Sequence, residues 1–132
     1  MHILIVDDMP EFKVQQAIQH VKLQQRDITS ITVNSVDSVL RYLVKHLDEI
    51  DLAIVDLDLP WFDDGRNFDK LNGLVVVAQI LRYKPSIPVI INSNIFIPKE
   101  KDFLEPYTKK NAVVEHVRSL DGEWLNEFIK RL

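Results

Sequence analysis

The chain has no cysteine among its 132 residues, which removes disulfides, thiolate metal sites and cysteine nucleophiles, and fits a reducing compartment. It also lacks an excess of positive charge. Lys+Arg number 16 against 20 Asp+Glu, for a formal net charge of -4, and that sign argues against nucleic-acid binding through general electrostatic attraction. No apolar run approaches the roughly 18 residues of a membrane span. The run after Met1 meets Asp7 and Asp8 too soon for the apolar region of a signal peptide. The expectation is a soluble cytoplasmic protein without direct membrane or nucleic-acid contact. Repeats and low-complexity stretches are absent, and His2, His20, His46 and His116 show no metal-ligand spacing.

Hydrophobic residues at 46% and charged ones at 27% are ordinary globular values, and the length suits one domain over residues 1–132 with a real core. Five apolar runs, at positions 2–6, 28–33, 52–55, 87–91 and 111–117, read as strands. Between them lie stripes of helical period: Val14, Ala17, Ile18 and Val21, with Pro10 suited to a first turn; Val36, Val39, Leu40 and Leu43 behind Ser35 as N-cap; and Leu74, Val77, Ala78 and Leu81, ending before Pro85. Trp124, Leu125, Phe128, Ile129 and Leu132 form a last helix opened by Asp121, and a short or bent helix is expected between Pro98 and Lys110, where Pro106 lacks a donor. Strands apolar throughout, alternating with helices, predict a doubly wound five-stranded parallel sheet of the α/β class, flanked by helices.

In such sheets ligands sit beyond the carboxyl ends of the strands, near the point where strand order reverses. The polar residues there are Asp7 and Asp8 after the first strand, Asp56 and Asp58 after the third, Asn92, Ser93 and Asn94 after the fourth, and Arg118 after the fifth. Carboxylates gathered at one edge repel one another. A hard divalent cation such as Mg2+ with oxygen ligands resolves the repulsion, and a carboxylate beside it can act as nucleophile toward phosphorus. Ser93 and a cation, Arg118 or a nearby lysine, would complete the cradle.

These residues carry a resemblance. "ILIVDD", "LAIVDLDLP", "IPVIINSN" and "NAVVEHVRSLDGEWLNEFI", in that order and at strand ends, are similar to the receiver domain of two-component response regulators, whose fold is flavodoxin-like. The resemblance implies that Asp56 accepts a phosphoryl group from the phosphohistidine of a histidine kinase or phosphotransfer protein. It implies that Asp7, Asp8, Asp56 and the backbone carbonyl of Asp58 hold Mg2+, that Ser93 bonds a phosphate oxygen, and that the modified domain switches a downstream protein effector, with a homodimer as one assembly open to it. It describes a phosphoacceptor rather than a turnover enzyme.

The chain departs from the family pattern at several positions. Counted from Ala112, the family lysine falls on Arg118, the proline after it on Ser119 and the aromatic switch residue on Glu115. "WFDDGRNFDKLN" lengthens the loop after Asp56, with Trp61 and Phe62 as a lid, a contact surface or a local tuck. Two rival readings use the same residues. One is a degenerate receiver kept as a phosphorylation-independent interaction module. The other is a haloacid dehalogenase-type phosphatase, whose motif would have to sit on the first strand.

Overall fold

The computed structural model describes residues 1–9, 12–25, 27–93, 105–107 and 112–132. The expected positions of Pro10, of Asn94 and of most of the helix between Pro98 and Lys110 lie outside these residues. A 3-10 turn, Glu105–Tyr107, is what the structure describes in that last segment.

Five strands, β1 (His2–Val6), β2 (Thr29–Val33), β3 (Leu52–Val55), β4 (Val89–Asn92) and β5 (Val114–Val117), form one sheet. Their order is β2-β1-β3-β4-β5 and every pair is parallel. Among the described residues, four helices connect or close them: α1 (Phe12–Gln24), α2 (Val36–His46), α3 (Asn72–Tyr83) and α4 (Gly122–Lys130). Successive side chains on a strand point to opposite faces, so each central strand feeds two cores. Leu4, Val6, Ala53, Val55, Val89 and Ile91 pack under α2 and α3, whereas Ile3, Ile5, Leu52, Ile54 and Ile90 pack under α1 and α4. Strands buried on both faces have no polar side to present, which is why they read as unbroken apolar runs.

Local signals set the helix starts. Ser35 takes the extended backbone of an N-cap and its Oγ accepts from the Ser38 N–H at 3.2 Å, and Asp121 caps α4 by accepting from the Trp124 N–H at 3.1 Å. Trp124 stacks on Phe128 with ring centroids 5.2 Å apart. The fourth strand begins two residues later than its apolar run, because Pro88 has no N–H to give a ladder and contributes only its carbonyl, which accepts from Ala53. The fifth begins at Val114 rather than at 111, since its pairing with β4 starts opposite Val89.

The chain does not leave the sheet at Val55. Leu57 and Leu59 continue the alternation, both fully buried in the α2/α3 core, while Asp56 and Asp58 stay half-buried on the other side. Burying each leucine is worth about 2–3 kcal/mol relative to exposure, so the apolar pair pins the carboxylates that alternate with it. The start of α3 is clamped to the same segment. The Gly73 N–H donates to the Leu57 carbonyl at 3.0 Å, and a Cβ on Gly73 would lie 2.0 Å from the Asp56 carbonyl oxygen and 2.6 Å from the Leu57 Cα.

A methyl group cannot fit at that approach, so Gly73→Ala should lower stability by about 1–3 kcal/mol through forced separation of α3 from the strand end. Urea unfolding followed by circular dichroism measures it. A midpoint equal to that of the unsubstituted chain would show that the two backbones are not in contact.

Candidate functional site

β1 and β3 pair in register up to Val6 and Val55, so the residues that follow, Asp7 and Asp56, emerge side by side. Backbone bonds carry the pairing one step past the strands: the Asp56 N–H donates to the Val6 carbonyl at 2.8 Å and the Asp7 N–H to the Val33 carbonyl at 3.1 Å. This is the place where the chain reverses its direction of travel across the sheet, from β2 back past β1 to β3. Asp7, Asp8 and Asp56 can each place one carboxylate oxygen within 4.8 Å of the others. Asp7 is buried, and Asp8 and Asp56 are half-buried.

The crowding shows in the acid itself. Burial pushes the Asp56 carboxyl up from 3.8 to about 7; the Asp58 N–H, which donates to Asp56 Oδ1 at 3.2 Å, works against the rise, and the negative charges of Asp7, Asp58 and Asp8 add to it. Asp58 is pushed up as well, chiefly by burial, with Asp8 adding and the positive charge of Lys70 opposing. One of its oxygens, Oδ1, is buried and has no hydrogen-bond partner among the described residues. The carbonyls of Leu57 and Leu59 on either side are taken by Gly73 and by Asp69 and Asn72; that of Asp58 accepts no hydrogen bond among the described residues.

The residues fit a hard divalent cation. Three carboxylates converge from two strand ends, the backbone carbonyl of Asp58 accepts no hydrogen bond among the described residues, and burial together with the neighbouring negative charges disfavours the ionised form of Asp56.

The other expected site residues are placed unequally. Ser93 is buried one residue past β4, and its N–H donates to the Val117 carbonyl at 3.0 Å. It therefore lies on the same sheet edge as Asp56, one strand away. Arg118 is exposed beyond β5, the edge strand, with β4 between it and β3. Among the described residues, the charges acting on Asp56 are those of Asp7, Asp58 and Asp8, and neither Arg118 nor Lys70 is among them.

At the aromatic position, Glu115 is exposed. Val114 packs against the α2/α3 core and Val117 against the α1/α4 core, so the alternation turns His116, not Glu115, toward α2 and α3. The His116 Nε2 lies 3.2 Å from the Ser93 carbonyl oxygen, which accepts. The sequence marks His116 only as a histidine without metal-ligand spacing; the strand register reveals its link to the end of β4.

The lengthened loop is a local tuck. Trp61 packs against the α2/α3 core, and its N–H donates to the carbonyls of Arg66 at 3.1 Å and Asn67 at 3.2 Å. Phe62 receives the Arg66 guanidinium at 4.9 Å from its ring centre. Gly65 and Asn67 turn the chain through positive φ of 89° and 57°. Asp63 Oδ1 accepts from the hydroxyls of Ser35 at 2.6 Å and Ser38 at 2.7 Å, and those bonds hold its carboxyl below the usual range.

No protein-family model matches the chain, and no curated protein matches it. Solved structures do match. A CheY-like response regulator receiver domain protein from Methanospirillum hungatei is 16% identical over 98% of this chain and 90% of its own, with a TM-score of 0.68. The CheX–CheY complex with BeF3 and magnesium from Borrelia burgdorferi gives 19% identity, a TM-score of 0.69, and 99% and 87% coverage. A two-component response regulator from Clostridium difficile gives 16%, 0.64, and 99% and 93%. The chain has the fold of a response regulator receiver domain, the doubly wound parallel sheet expected from its strands in the flavodoxin-like form that the resemblance implied.

An acid whose carboxyl is raised by folding contributes its stability in full below the ordinary carboxylate range and loses it as pH rises through the folded value, here about 7. Without metal, stability should therefore fall between about pH 4 and pH 8. Asp56→Asn should remove that loss and be the more stable protein at pH 8 by on the order of 1–2 kcal/mol, a figure reduced for the partial exposure of the group. Thermal unfolding of both proteins across this pH range, with and without Mg2+, checks it; Mg2+ should close the gap, and curves that run parallel at all pH values would contradict the assignment.

Proposed function

We propose that this chain is the phosphoacceptor domain of a two-component signalling system, working in the cytoplasm. The observation that carries the reading is the convergence of Asp7, Asp8 and Asp56 within 4.8 Å at the switch point of a receiver fold. Asp7, Asp8, Asp56 and the Asp58 carbonyl would hold Mg2+, which supplies neutralisation of the charge on the phosphoryl oxygens.

In the transfer, a carboxylate oxygen of Asp56 attacks the phosphorus of a phosphohistidine on a kinase or phosphotransfer protein. The O–P bond forms as the P–N bond breaks, and the departing imidazole keeps the electron pair and takes a proton from solvent. The backbone bond from Asp56 to Val6 and the Asp58 N–H on Asp56 Oδ1 keep the other oxygen turned for attack. The Ser93 hydroxyl, at the edge one strand away, is the donor for a phosphoryl oxygen. The chain accepts one group and passes on a change of state; it is not a turnover enzyme. The added charge biases a conformational equilibrium that a protein effector or a second copy reads. His116, tied to the carbonyl of Ser93, stands where a shift of the β4 end would be felt at β5.

Incubation with Mg2+ and acetyl phosphate, followed by intact mass measurement, tests the reading. The protein should gain one phosphoryl group, and Asp56→Asn should gain none. Equal labelling of both, or none in either, would leave the interaction-module reading in its place, and steady hydrolysis of unrelated phosphomonoesters would favour a phosphatase.

A further inference from the structure

The loop after β3 places a cation beside Asp58. Leu59 and Asp69 exchange both backbone hydrogen bonds, at 3.4 and 3.3 Å, as an isolated antiparallel bridge. Residues flanking such a pair face each other across it with their side chains on one side, which makes Lys70 the neighbour of Asp58. The charge of Lys70 is felt at the Asp58 carboxylate.

The backbone that carries Lys70 is fixed from several directions. Asp69 Oδ1 accepts from the Leu71 N–H at 2.8 Å, and Asn72 Nδ2 donates to the carbonyls of Leu59 and Asn67, both at 2.8 Å. The side chain of Lys70, by contrast, is exposed and in no ion pair among the described residues. Beside it, Asp58 Oδ1 is buried without a hydrogen-bond partner among them, an arrangement that costs about 1–3 kcal/mol unless a donor or cation meets it. A cation with no ion pair among the described residues thus stands, on a backbone fixed by hydrogen bonds, next to a buried acceptor with no partner among them.

We propose that Lys70 is the cation that meets the phosphoryl group on its way to Asp56, drawn toward the site by the negative charge of Asp58 beside it. The assignment rests on the phosphoacceptor reading above. As the O–P bond to Asp56 forms and the donor's bond to phosphorus breaks, Lys70 stays protonated and donates an N–H to a phosphoryl oxygen. The proton taken up by the leaving group comes from solvent. Arg118, exposed past the edge strand, is then unnecessary as the phosphate partner, and the lengthened loop gains a chemical purpose.

The experiment compares the unsubstituted chain with Lys70→Ala, Lys70→Arg, Arg118→Ala and, as a surface-charge control, Lys45→Ala. Two quantities are read: the initial rate of Asp56 phosphorylation by acetyl phosphate at saturating Mg2+, by intact mass, and the affinity for Mg2+ alone, by calorimetry. Lys70→Ala should slow phosphorylation about tenfold, the loss of one charge-assisted hydrogen bond. It should also tighten Mg2+ about two- to threefold, because a like charge has left the rim. A merely structural role would weaken both. Lys70→Arg should recover most of the rate, and Lys45→Ala should change neither quantity. Phosphorylation of Lys70→Ala at the unsubstituted rate, or a loss that falls on Arg118→Ala instead, overturns the assignment alone. An unsubstituted chain that takes no phosphoryl group overturns the phosphoacceptor reading and the assignment with it.

Discussion

Parallel pairing of β1 with β3 in register to Val6 and Val55 is the constraint from which the rest of the site follows, because it forces Asp7 and Asp56 out of the sheet side by side. Neither carboxylate would choose that place. Each is partly desolvated, each repels the other and Asp8 adds to the repulsion. The two apolar layers that clamp the sheet, under α1 and α4 on one face and α2 and α3 on the other, hold the charges together against this cost. What results is a pocket in which the unfavourable energy sits where a cation would relieve it, so an affinity for a metal there would be built from repulsion among the carboxylates.

The same economy runs through the segment after β3. Leu57 and Leu59 are buried so that Asp56 and Asp58 must face the edge, and Gly73 lets α3 begin against the Asp56 backbone. The insertion then closes the arrangement from outside. The Val36 and Asp37 N–H groups donate to the carbonyls of Pro60 and Trp61 at 3.1 and 2.8 Å, and Asp63 binds the hydroxyls of Ser35 and Ser38. The first turn of α2 and the rim of the pocket are therefore one mechanical piece. A charge change at Asp56 would act on a rim already fastened to α2 on one side, while Ser93, tied to Val117 and His116, fastens the other side to β5.

Much of this was legible in the residues alone. The bounds of β1 and β3 could be read to the residue, since apolar runs end abruptly in aspartate, and the caps at Ser35 and Asp121 act through bonds that need only two or three neighbouring positions. β4 and β5 were legible in kind but not in extent, because where a ladder starts depends on a partner strand distant in sequence, and a proline at its threshold counts differently from the isoleucine before it. The acidic cluster could be read because strand ends collect at one edge in any sheet of this class. Arg118 and Glu115 were placed by counting from Ala112, and counting along an edge strand does not reveal which face a side chain takes. His116 reaches the end of β4 in their stead.

The sequence by itself determined a doubly wound sheet with carboxylates at its working edge, since periodicity and the residue types at strand ends are local properties that every neighbour reinforces. Tertiary structure alone decided which groups those carboxylates meet. Lys70 belongs beside Asp58 because of a bridge between Leu59 and Asp69, ten positions apart in a loop whose composition reads as solvated turn. Its position depends on a backbone hydrogen-bond pattern, and backbone groups are the same in every residue, so no reading of side chains could have located it.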